Sequence, residues 1–246
     1  MQIKKVGISM PVANEENTIK GFLANLLHEI SILGDPYSFA VYVIMDAFSK
    51  DNTFNLVKEI SEKDPRIKLV FFEESTGVVS CYLKGFKCAL EDECDYVIEM
   101  DSGGSHPPSK LKDIIFALDK ENYDIVFMSR FMKGGEVVNF PLYRRIVSKG
   151  GSILANLWLG TNYNDATSGY QAFKASVLKA FNLDAFISKG GIYQTEMKYY
   201  CKGFKVKEIP FIYIGSTTAF KPKFLLFALK TLFKMKHNRK NVIKTS

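Results

Sequence analysis

The sequence predicts an α/β protein in which a mostly parallel β-sheet is covered by helices on both faces. Short apolar runs rich in β-branched residues alternate with segments of helical periodicity over residues 1–130. Each run is four to seven residues long and nearly continuous, which is typical of strands that are buried on both faces. Gly, Pro, Asn and Asp separate the runs, and alternating strand–helix units build parallel sheets.

The predicted elements follow one another in a regular order. After the first strand, Asn14 is predicted to cap a helix whose apolar residues are spaced by three and four positions. The predicted strands are residues 6–12, 39–45, 67–72, 96–100 and 125–128. The helices between them are predicted at 19–30, 54–60, 79–90 and 108–118. Farther along, the spacing predicts helices at 144–159 and 177–181 and one alternating strand at 206–214.

Polar side chains follow several of these predicted strands at the point where each strand ends. They are Glu15, Asp46, Asp101 and Arg130. In parallel sheets, ligands bind beyond the carboxyl ends of the strands. Each residue alone also fits a cap or a turn, but the four together favour a nucleotide-binding site.

The net charge of +7 is concentrated at the C-terminal end. Eight of the 33 Lys and Arg residues lie at or after Lys221, and none of the 26 Asp and Glu residues does. The rest of the chain is almost neutral, which argues against a nucleic-acid-binding face and for a local anionic partner. The pattern over 224–235 predicts a helix on an anionic membrane surface. A helix packed on the protein core has the same pattern.

Cysteine usage favours a reducing compartment, and hydropathy bears on the membrane. Its four cysteines form no CxxC pair, so we expect free thiols and a cytoplasmic protein. The first residues have too short an apolar stretch for a signal peptide. No segment offers about 18 uncharged apolar residues, so we expect no helix that spans a membrane.

Four blocks of sequence carry a resemblance to a known family. They read "MPVANEENTI", "MDAFSKDNT", "MDSGGSHPP" and "SRFMKGGEVVNFPLYRRIVSKGGSILA". Two weaker blocks, "DATSGYQAF" and "YQTEMKYYCKGFKVKEIPFIY", follow. In this order they resemble the inverting glycosyltransferases of family 2, and among these the dolichyl- or polyprenyl-phosphate sugar synthases. The resemblance covers residues 6 to about 214.

The resemblance implies a fold, a reaction and a site. Residues 1–215 would form a glycosyltransferase A-type domain, and 216–246 a basic amphipathic tail. The enzyme would move a hexose from a GDP- or UDP-linked sugar to a polyprenyl phosphate, with inversion, at the cytoplasmic membrane face. An integral membrane partner would fit this placement. The implied donor-binding residues are Pro11, Glu15, Asp46, Asp101 and Ser105. The implied acceptor-phosphate residues are Arg130, Arg144 and Ser148, and the implied catalytic residues are Asp101, Arg130 and Asp165.

The chain departs from the family pattern at three positions. Ala13 and Ala47 replace a Tyr and an Asp near the predicted base pocket, and Gly103 replaces the second Asp of the metal-binding D-x-D. Asp101 would then be the only acid for Mg²⁺ or Mn²⁺, which keeps several waters and can bind through one carboxylate plus phosphates. We therefore expect weak or absent metal dependence.

Two other functions remain open from the sequence. The acceptor could be a glycan or another hydroxyl, which needs a general base such as Asp165 or Glu196. The chain could also be a non-catalytic binding protein with a decayed metal site. Gln194 is a further candidate site residue, and Lys221 and Lys223 could close over the diphosphate.

Overall fold

The computed structural model of the chain describes residues 3–139, 141–215 and 222–244. Lys221 lies outside these residues, and so does the side chain of Lys223. The strands are β1 (Lys4–Val12), β2 (Tyr37–Asp46), β3 (Ile67–Phe72), β4 (Tyr96–Glu99), β5 (Ile125–Ser129), β6 (Glu136–Val138), β7 (Gln171–Lys174), β8 (Val206–Pro210) and β9 (Ile212–Ile214). The helices are α1 (Ile19–Leu33), α2 (Thr53–Lys63), α3 (Val78–Glu91), α4 (Leu111–Asp119), α5 (Leu142–Leu159), α6 (Ala175–Lys179), α7 (Ile192–Tyr200) and α8 (Pro222–Val242).

Seven strands form one sheet in the order β3-β2-β1-β4-β7-β5-β8. Neighbours pair in parallel except at β7, which is antiparallel to both β4 and β5. The predicted α/β class with a mostly parallel sheet is confirmed. A second, two-stranded sheet pairs β6 with β9 in parallel.

The core lies on both faces of the large sheet, as the continuous apolar strands require. In β4, Tyr96 and Ile98 face a cluster that includes Leu26 of α1 and Ile114 of α4. Val97 faces the opposite cluster, which contains residues of α3, α7 and α8. This two-sided burial explains why the strands lack the alternation of polar and apolar residues seen in half-exposed sheets.

The predicted single strand at 206–214 is wrong. Val206–Pro210 pairs with β5, and Ile212–Ile214 pairs with β6 in the other sheet. Phe211 lies between them: its N–H donates to the Ser129 carbonyl, and its carbonyl accepts from the Glu136 N–H. The apolar alternation continues across this change of partner, so the pattern alone could not reveal two strands.

The predicted helix cap at Asn14 is also wrong. The helix begins at Ile19, and Asn14 adopts a left-handed conformation with φ of 56°. Its side-chain oxygen accepts from the Lys50 N–H at 2.9 Å, and its own N–H donates to Ser49 Oγ at 3.0 Å. Asn14 therefore ties the loop after β1 to the loop after β2, and this places Glu15 at the carboxyl edge of the sheet.

One side of α8 packs on the domain. Leu232, Met235 and Val242 are buried in the cluster that contains α7. Asn238 Nδ2 donates to the Ala185 carbonyl at 2.7 Å and to the Tyr200 hydroxyl at 3.1 Å. Among the described helices, none has the length and apolar character needed to cross a bilayer. The division of the chain at residue 215 stays a prediction.

Gly85 sets the distance between α3 and β1 and provides a test of this packing. A Cβ at Gly85 would lie 2.1 Å from Ser9 Oγ and 2.8 Å from Ser9 Cβ. We expect Gly85→Ala to lower the free energy of unfolding by about 2–3 kcal/mol, because overpacking forces the backbone to shift. Urea denaturation followed by circular dichroism would measure the change.

The matched control is Gly21→Ala in α1, where a new Cβ would meet nothing within 4 Å. Alanine has the higher helix propensity, so this variant should be more stable by about 0.5–1 kcal/mol. Equal effects of the two substitutions would contradict the close approach of α3 to β1.

Candidate active site

Two adjoining pockets open at the carboxyl edge of the large sheet. The outer pocket, of about 450 Å³, is lined by all five predicted donor-binding residues: Pro11, Glu15, Asp46, Asp101 and Ser105. The inner pocket, of about 240 Å³, is lined by Arg130 and Gln194 among others. The two pockets share Val78, Asp101 and Tyr213. Asp101 therefore stands at the junction, although the roles of these residues stay predictions.

Two neighbours fix the Asp101 carboxylate just beyond the end of β4. The Tyr82 hydroxyl of α3 donates to Asp101 Oδ1. The Asp101 backbone N–H donates to His106 Nδ1 at 2.9 Å, so the proton of neutral His106 is on Nε2, 3.4 Å from Asp101 Oδ2. Burial lowers the pKa of His106, and its ring stacks on Tyr170 with centroids 4.8 Å apart. His106 thus ties the loop that carries Asp101 to the buried Tyr170 ring.

The loop after β1 and the last residue of β2 bring two further carboxylates, those of Glu15 and Asp46, into the outer pocket. The Glu15 N–H donates to Thr53 Oγ1 at 2.8 Å, and the Thr18 hydroxyl donates to one carboxylate oxygen of Glu15. The Phe48 N–H donates to Asp46 Oδ1 at 3.0 Å. A hydroxyl donor therefore orients the Glu15 carboxylate, and a backbone N–H orients that of Asp46.

Arg130 and Asp165 form a buried ion pair at the inner pocket. Arg130 Nε donates to Asp165 Oδ2 at 2.7 Å, and Nη2 donates to Asp165 Oδ1 at 2.9 Å and to Thr167 Oγ1 at 2.6 Å. Burial alone would raise the pKa of Asp165, but the hydrogen bonds and charge of Arg130 hold it well below its usual range. The Tyr213 ring lies 5.2 Å from the guanidinium carbon. These contacts fix the guanidinium plane.

Asp165, predicted as a catalytic residue, lines neither pocket within the described part of the chain. It is fully buried behind Arg130, so its position fits the orientation of Arg130 rather than contact with a substrate. Lys198, which the sequence reasoning missed, donates to the Asp165 carbonyl from α7. Burial lowers the pKa of this lysine to about 8.

Arg144 and Ser148 lie one turn apart on α5 and are not among the described lining residues of either pocket. Both are partly buried. The Ser148 carbonyl accepts from Ser152 Oγ at 3.1 Å. Arg130 thus lines the pocket that adjoins the predicted donor-binding residues. Arg144 and Ser148 lie on a separate helix, and their contribution to the site stays a prediction.

The sequence reasoning also missed a buried carboxyl group beneath the inner pocket. Glu99, the last residue of β4, is fully buried and accepts from Gln194 Nε2 at 2.7 Å and from Gln171 Nε2 at 2.9 Å. The Tyr193 hydroxyl donates to the same carboxyl group at 3.3 Å. Burial raises the pKa of Glu99 to about 8. A glutamate within the apolar run 96–100 was the available signal.

Residues 8–181 match the family described as "Glycosyl transferase family 2". An undecaprenyl-phosphate mannosyltransferase from Micrococcus luteus is 33% identical over 70% of this chain and 71% of that protein. A polyprenol monophosphomannose synthase from Mycolicibacterium smegmatis is 33% identical over 68% of this chain and 64% of that protein. A dolichol-phosphate mannosyltransferase from Pyrococcus furiosus is 29% identical over 85% of this chain, which covers 56% of that protein.

The chain belongs to glycosyl transferase family 2. This is an inverting family, and the resemblance predicted from the sequence blocks is confirmed. A solved structure, glucosyl-3-phosphoglycerate synthase from Mycobacterium tuberculosis with Mn²⁺, UDP and glucosyl-3-phosphoglycerate, has a TM-score of 0.62 at 16% identity, covering 99% of this chain and 82% of that one. The glycosyltransferase A-type fold is confirmed as well.

The donor side of this family 2 glycosyltransferase fits a divalent cation only in part. Glu15, Asp46 and Asp101 line the outer pocket, and no Lys or Arg is among its described lining residues. A diphosphate placed beside Asp101 would be repelled by its carboxylate, and a divalent cation between them would offset that repulsion. No three described His, Cys, Asp or Glu residues converge as a ready-made metal site. Asp101 therefore fits one ligand position, and donor phosphates and water would supply the rest.

Gly103→Asp tests whether the missing acid limits metal binding. A Cβ at Gly103 would lie 3.4 Å from Glu15 Oε1, so a side chain fits there, beside a carboxylate. We expect the variant to bind Mn²⁺ at least about tenfold more tightly in the presence of GDP or UDP, since a second carboxylate completes the ligand set. Electron paramagnetic resonance of free Mn²⁺ would measure the affinity.

Gly103→Asn is the matched control, because it adds a side chain of the same size without the charge. It should bind Mn²⁺ no more tightly than the wild-type chain. An equal gain in Mn²⁺ affinity in both variants, or no gain in Gly103→Asp, would contradict the idea that the missing carboxylate limits metal binding.

Proposed function

We propose that this chain transfers a hexose from a nucleotide diphosphate sugar to a polyprenyl phosphate at a membrane surface, with inversion. The observation that carries the proposal is the meeting of two pockets at Asp101. One pocket offers carboxylates for a nucleotide and its metal-bound diphosphate, and the other offers an arginine for an anionic acceptor. The names of the relatives from Micrococcus luteus and Mycolicibacterium smegmatis support a polyprenyl-phosphate acceptor.

On the donor side, the base and ribose would lie against Pro11, Glu15 and Asp46. The diphosphate would lie at Asp101 and Ser105, where Mg²⁺ or Mn²⁺ would neutralise charge on the departing nucleotide. Mn²⁺ and UDP in the similar glucosyl-3-phosphoglycerate synthase support this arrangement. Either a GDP- or a UDP-linked sugar is compatible with the pocket.

On the acceptor side, a phosphate oxygen would attack the anomeric carbon as the bond to the diphosphate breaks. A phosphate is already ionised near neutral pH, so this nucleophile needs no general base. The enzyme must instead hold two anions in line, and an arginine suits that task. Arg130 uses Nε and Nη2 for Asp165 and Thr167, which leaves Nη1 as the group for the acceptor phosphate. Arg144 and Ser148 would meet it from α5.

A hydroxyl acceptor is the weaker candidate, because Glu196 and Asp165, the two acids that the sequence suggests as its base, are already engaged. Glu196 is fully buried, and its two oxygens accept from the N–H groups of Ile187 and Ser188. Asp165 is paired with Arg130. A base needs a carboxylate that reaches the substrate, whereas a phosphate acceptor needs none.

The surface of α5 supports a membrane location for the acceptor. This helix exposes a series of large apolar side chains, and Arg145 and Lys149 are exposed among them. The series consists of Leu142, Tyr143, Ile146, Ile153, Leu154, Leu157 and Trp158. Phe233 of α8 packs on Trp158 with ring centroids 4.4 Å apart, and Lys236 lies over the same ring. Such an apolar face with a basic border suits the cytoplasmic face of an anionic membrane, or an integral membrane partner.

The reaction itself is tested with the purified chain, polyprenyl phosphate in detergent, Mg²⁺ or Mn²⁺, and radiolabelled GDP-mannose, UDP-glucose or UDP-N-acetylglucosamine. We expect an organic-extractable, lipid-linked sugar from at least one donor. Arg130→Lys should lower kcat/KM at least about tenfold, because a lysine cannot reproduce the fixed guanidinium plane. Arg66→Lys, at the surface pair with Asp64, is the matched control and should change nothing.

A chain that binds none of these nucleotides would overturn the proposed function and favour a decayed site. Transfer to a soluble glycan, with no lipid-linked product, would favour the hydroxyl acceptor instead.

Membrane contact through α5 is tested by flotation with vesicles of phosphatidylglycerol and phosphatidylcholine. Removing α8 would expose the core that Leu232 and Met235 help to cover, and the exposed core could itself bind vesicles. Substitutions of exposed residues on α5 avoid this effect. Ile146 is 62% exposed and Leu157 79% exposed. Ile146→Glu with Leu157→Glu should lower the vesicle partition coefficient about tenfold or more, since each inserted side chain contributes about 1.5–3 kcal/mol.

The matched control is Ile32→Glu on α1, where the isoleucine is 65% exposed. It should float like the wild-type chain. Equal partitioning of the double variant and this control would exclude α5 as the contact face.

A further inference from the structure

Beneath the inner pocket lie a partly buried amide side chain that lines it, a fully buried amide side chain and a fully buried carboxyl group. We call Glu99, Gln171 and Gln194 the amide floor. Gln194 Nε2 donates to Glu99 Oε1 at 2.7 Å, and Gln194 Oε1 accepts from Gln171 Nε2 at 3.0 Å. Gln171 Nε2 donates its other proton to Glu99 Oε2 at 2.9 Å. These three bonds close a ring, so the Gln194 amide cannot turn over without breaking two of them.

The absence of a side chain at Gly169 leaves room for the Gln194 amide in this position. A Cβ at Gly169 would lie only 2.7 Å from Gln194 Nε2, so a larger residue there would push the amide away. Gly169 and Gln194 both line the inner pocket. The remaining amide oxygen of this group, Gln171 Oε1, is buried and has no hydrogen-bond partner among the described residues. Gln171 is not among the described residues that line the inner pocket, so Gln194 is the member of the amide floor that reaches it.

We propose that Gln194, held by Glu99 and Gln171, reads a hydroxyl of the transferred hexose and so contributes to the choice of sugar. The inference rests on the proposed function, because it places the hexose beyond Asp101 in the inner pocket. Glu99 and Gln171 are positioning residues, and Gln194 is the group that contacts the sugar.

The chemistry of a fixed amide suits a sugar hydroxyl. After its bonds to Glu99 and Gln171, Gln194 keeps one N–H and one carbonyl lone pair for the pocket that it lines. A hydroxyl both donates and accepts, so it pairs with this edge in one orientation. An analogue whose hydroxyl points elsewhere leaves the amide unpaired in a partly buried site, and such a loss discriminates more strongly than a change in apolar contact. Glu99 and Gln171 make the discrimination possible because a freely rotating amide would accept either epimer.

The test compares nucleotides with nucleotide sugars on the full chain by isothermal titration calorimetry. The probes are GDP, GDP-mannose and GDP-glucose, and UDP, UDP-glucose and UDP-galactose, each with Mg²⁺. Within each set the two sugars differ at one hydroxyl. The quantity of interest is the ratio of the Kd values for the two epimers, with the Kd of the parent nucleotide as the reference for pocket integrity.

We expect Gln194→Leu and Gly169→Ala to reduce the epimer ratio about fivefold to tenfold, the size of one hydrogen bond. Gly169→Ala displaces the amide without removing a buried partner, so it keeps the test valid if Gln194→Leu folds poorly. Glu99→Gln should narrow the same ratio while the Kd of the parent nucleotide stays within about twofold. The matched control is Glu62→Gln, the same substitution on the exposed surface of α2, which should leave every value unchanged.

Two outcomes would overturn the inference while leaving the proposed function standing. The first is an unchanged epimer ratio in Gly169→Ala and Gln194→Leu. The second is an equal loss of affinity for nucleotide and nucleotide sugar in Glu99→Gln, which would show a purely structural role. If the wild-type chain binds no nucleotide at all, the proposed function fails and this inference fails with it.

Discussion

The site depends on one short antiparallel strand. β7 lies between β4 and β5 and pairs with both, so the two loops that carry Asp101 and Arg130 leave the same edge of the sheet two strand spacings apart. That separation is about 10 Å, and it divides the edge into an outer and an inner pocket with Asp101 between them. Direct pairing of β4 with β5 would bring the Arg130 guanidinium one strand spacing nearer to Asp101 and narrow the space between them. The first residue of β7, Gln171, also lies opposite Glu99 in the register.

The two pockets differ in the sign of their charged side chains and in the groups that hold those side chains in place. The outer pocket presents three carboxylates that are held by backbone and hydroxyl donors. The inner side presents Arg130, whose charge is offset by buried Asp165 and backed by Lys198. Because burial lowers the pKa of Lys198 to about 8, this lysine is mostly protonated at neutral pH. The inner side is thus positive by a fixed, buried arrangement, whereas carboxylates are the charged groups among the described lining residues of the outer pocket.

Particular residues show what the sequence could reveal and what it could not. The strand ends at Asp46, Asp101 and Arg130 were readable because each followed a continuous apolar run, and the runs of a parallel sheet end at a common edge. β7 was not readable: "QAFK" is four residues long and begins with a glutamine, so only its pairing on both sides reveals it. The buried position of Asp165 depends on a hydrogen bond to a residue 35 positions away, which local pattern does not encode. Glu99 could have been found, because a glutamate in a two-sided apolar strand has to be satisfied by partners.

The glycine at position 103 limits the number of acids in the outer pocket, which already contains three carboxylates. Adding a carboxylate there would place a fourth acid in the outer pocket, on a Cβ that would lie 3.4 Å from Glu15 Oε1. Without a metal, that crowding raises the cost of holding every carboxylate ionised. With glycine, the pocket carries less repulsion, and under the proposed function a cation would be recruited together with the phosphates that complete its ligands. In the proposed function, the glycine would therefore leave metal binding to the donor complex, with the diphosphate as part of the metal site.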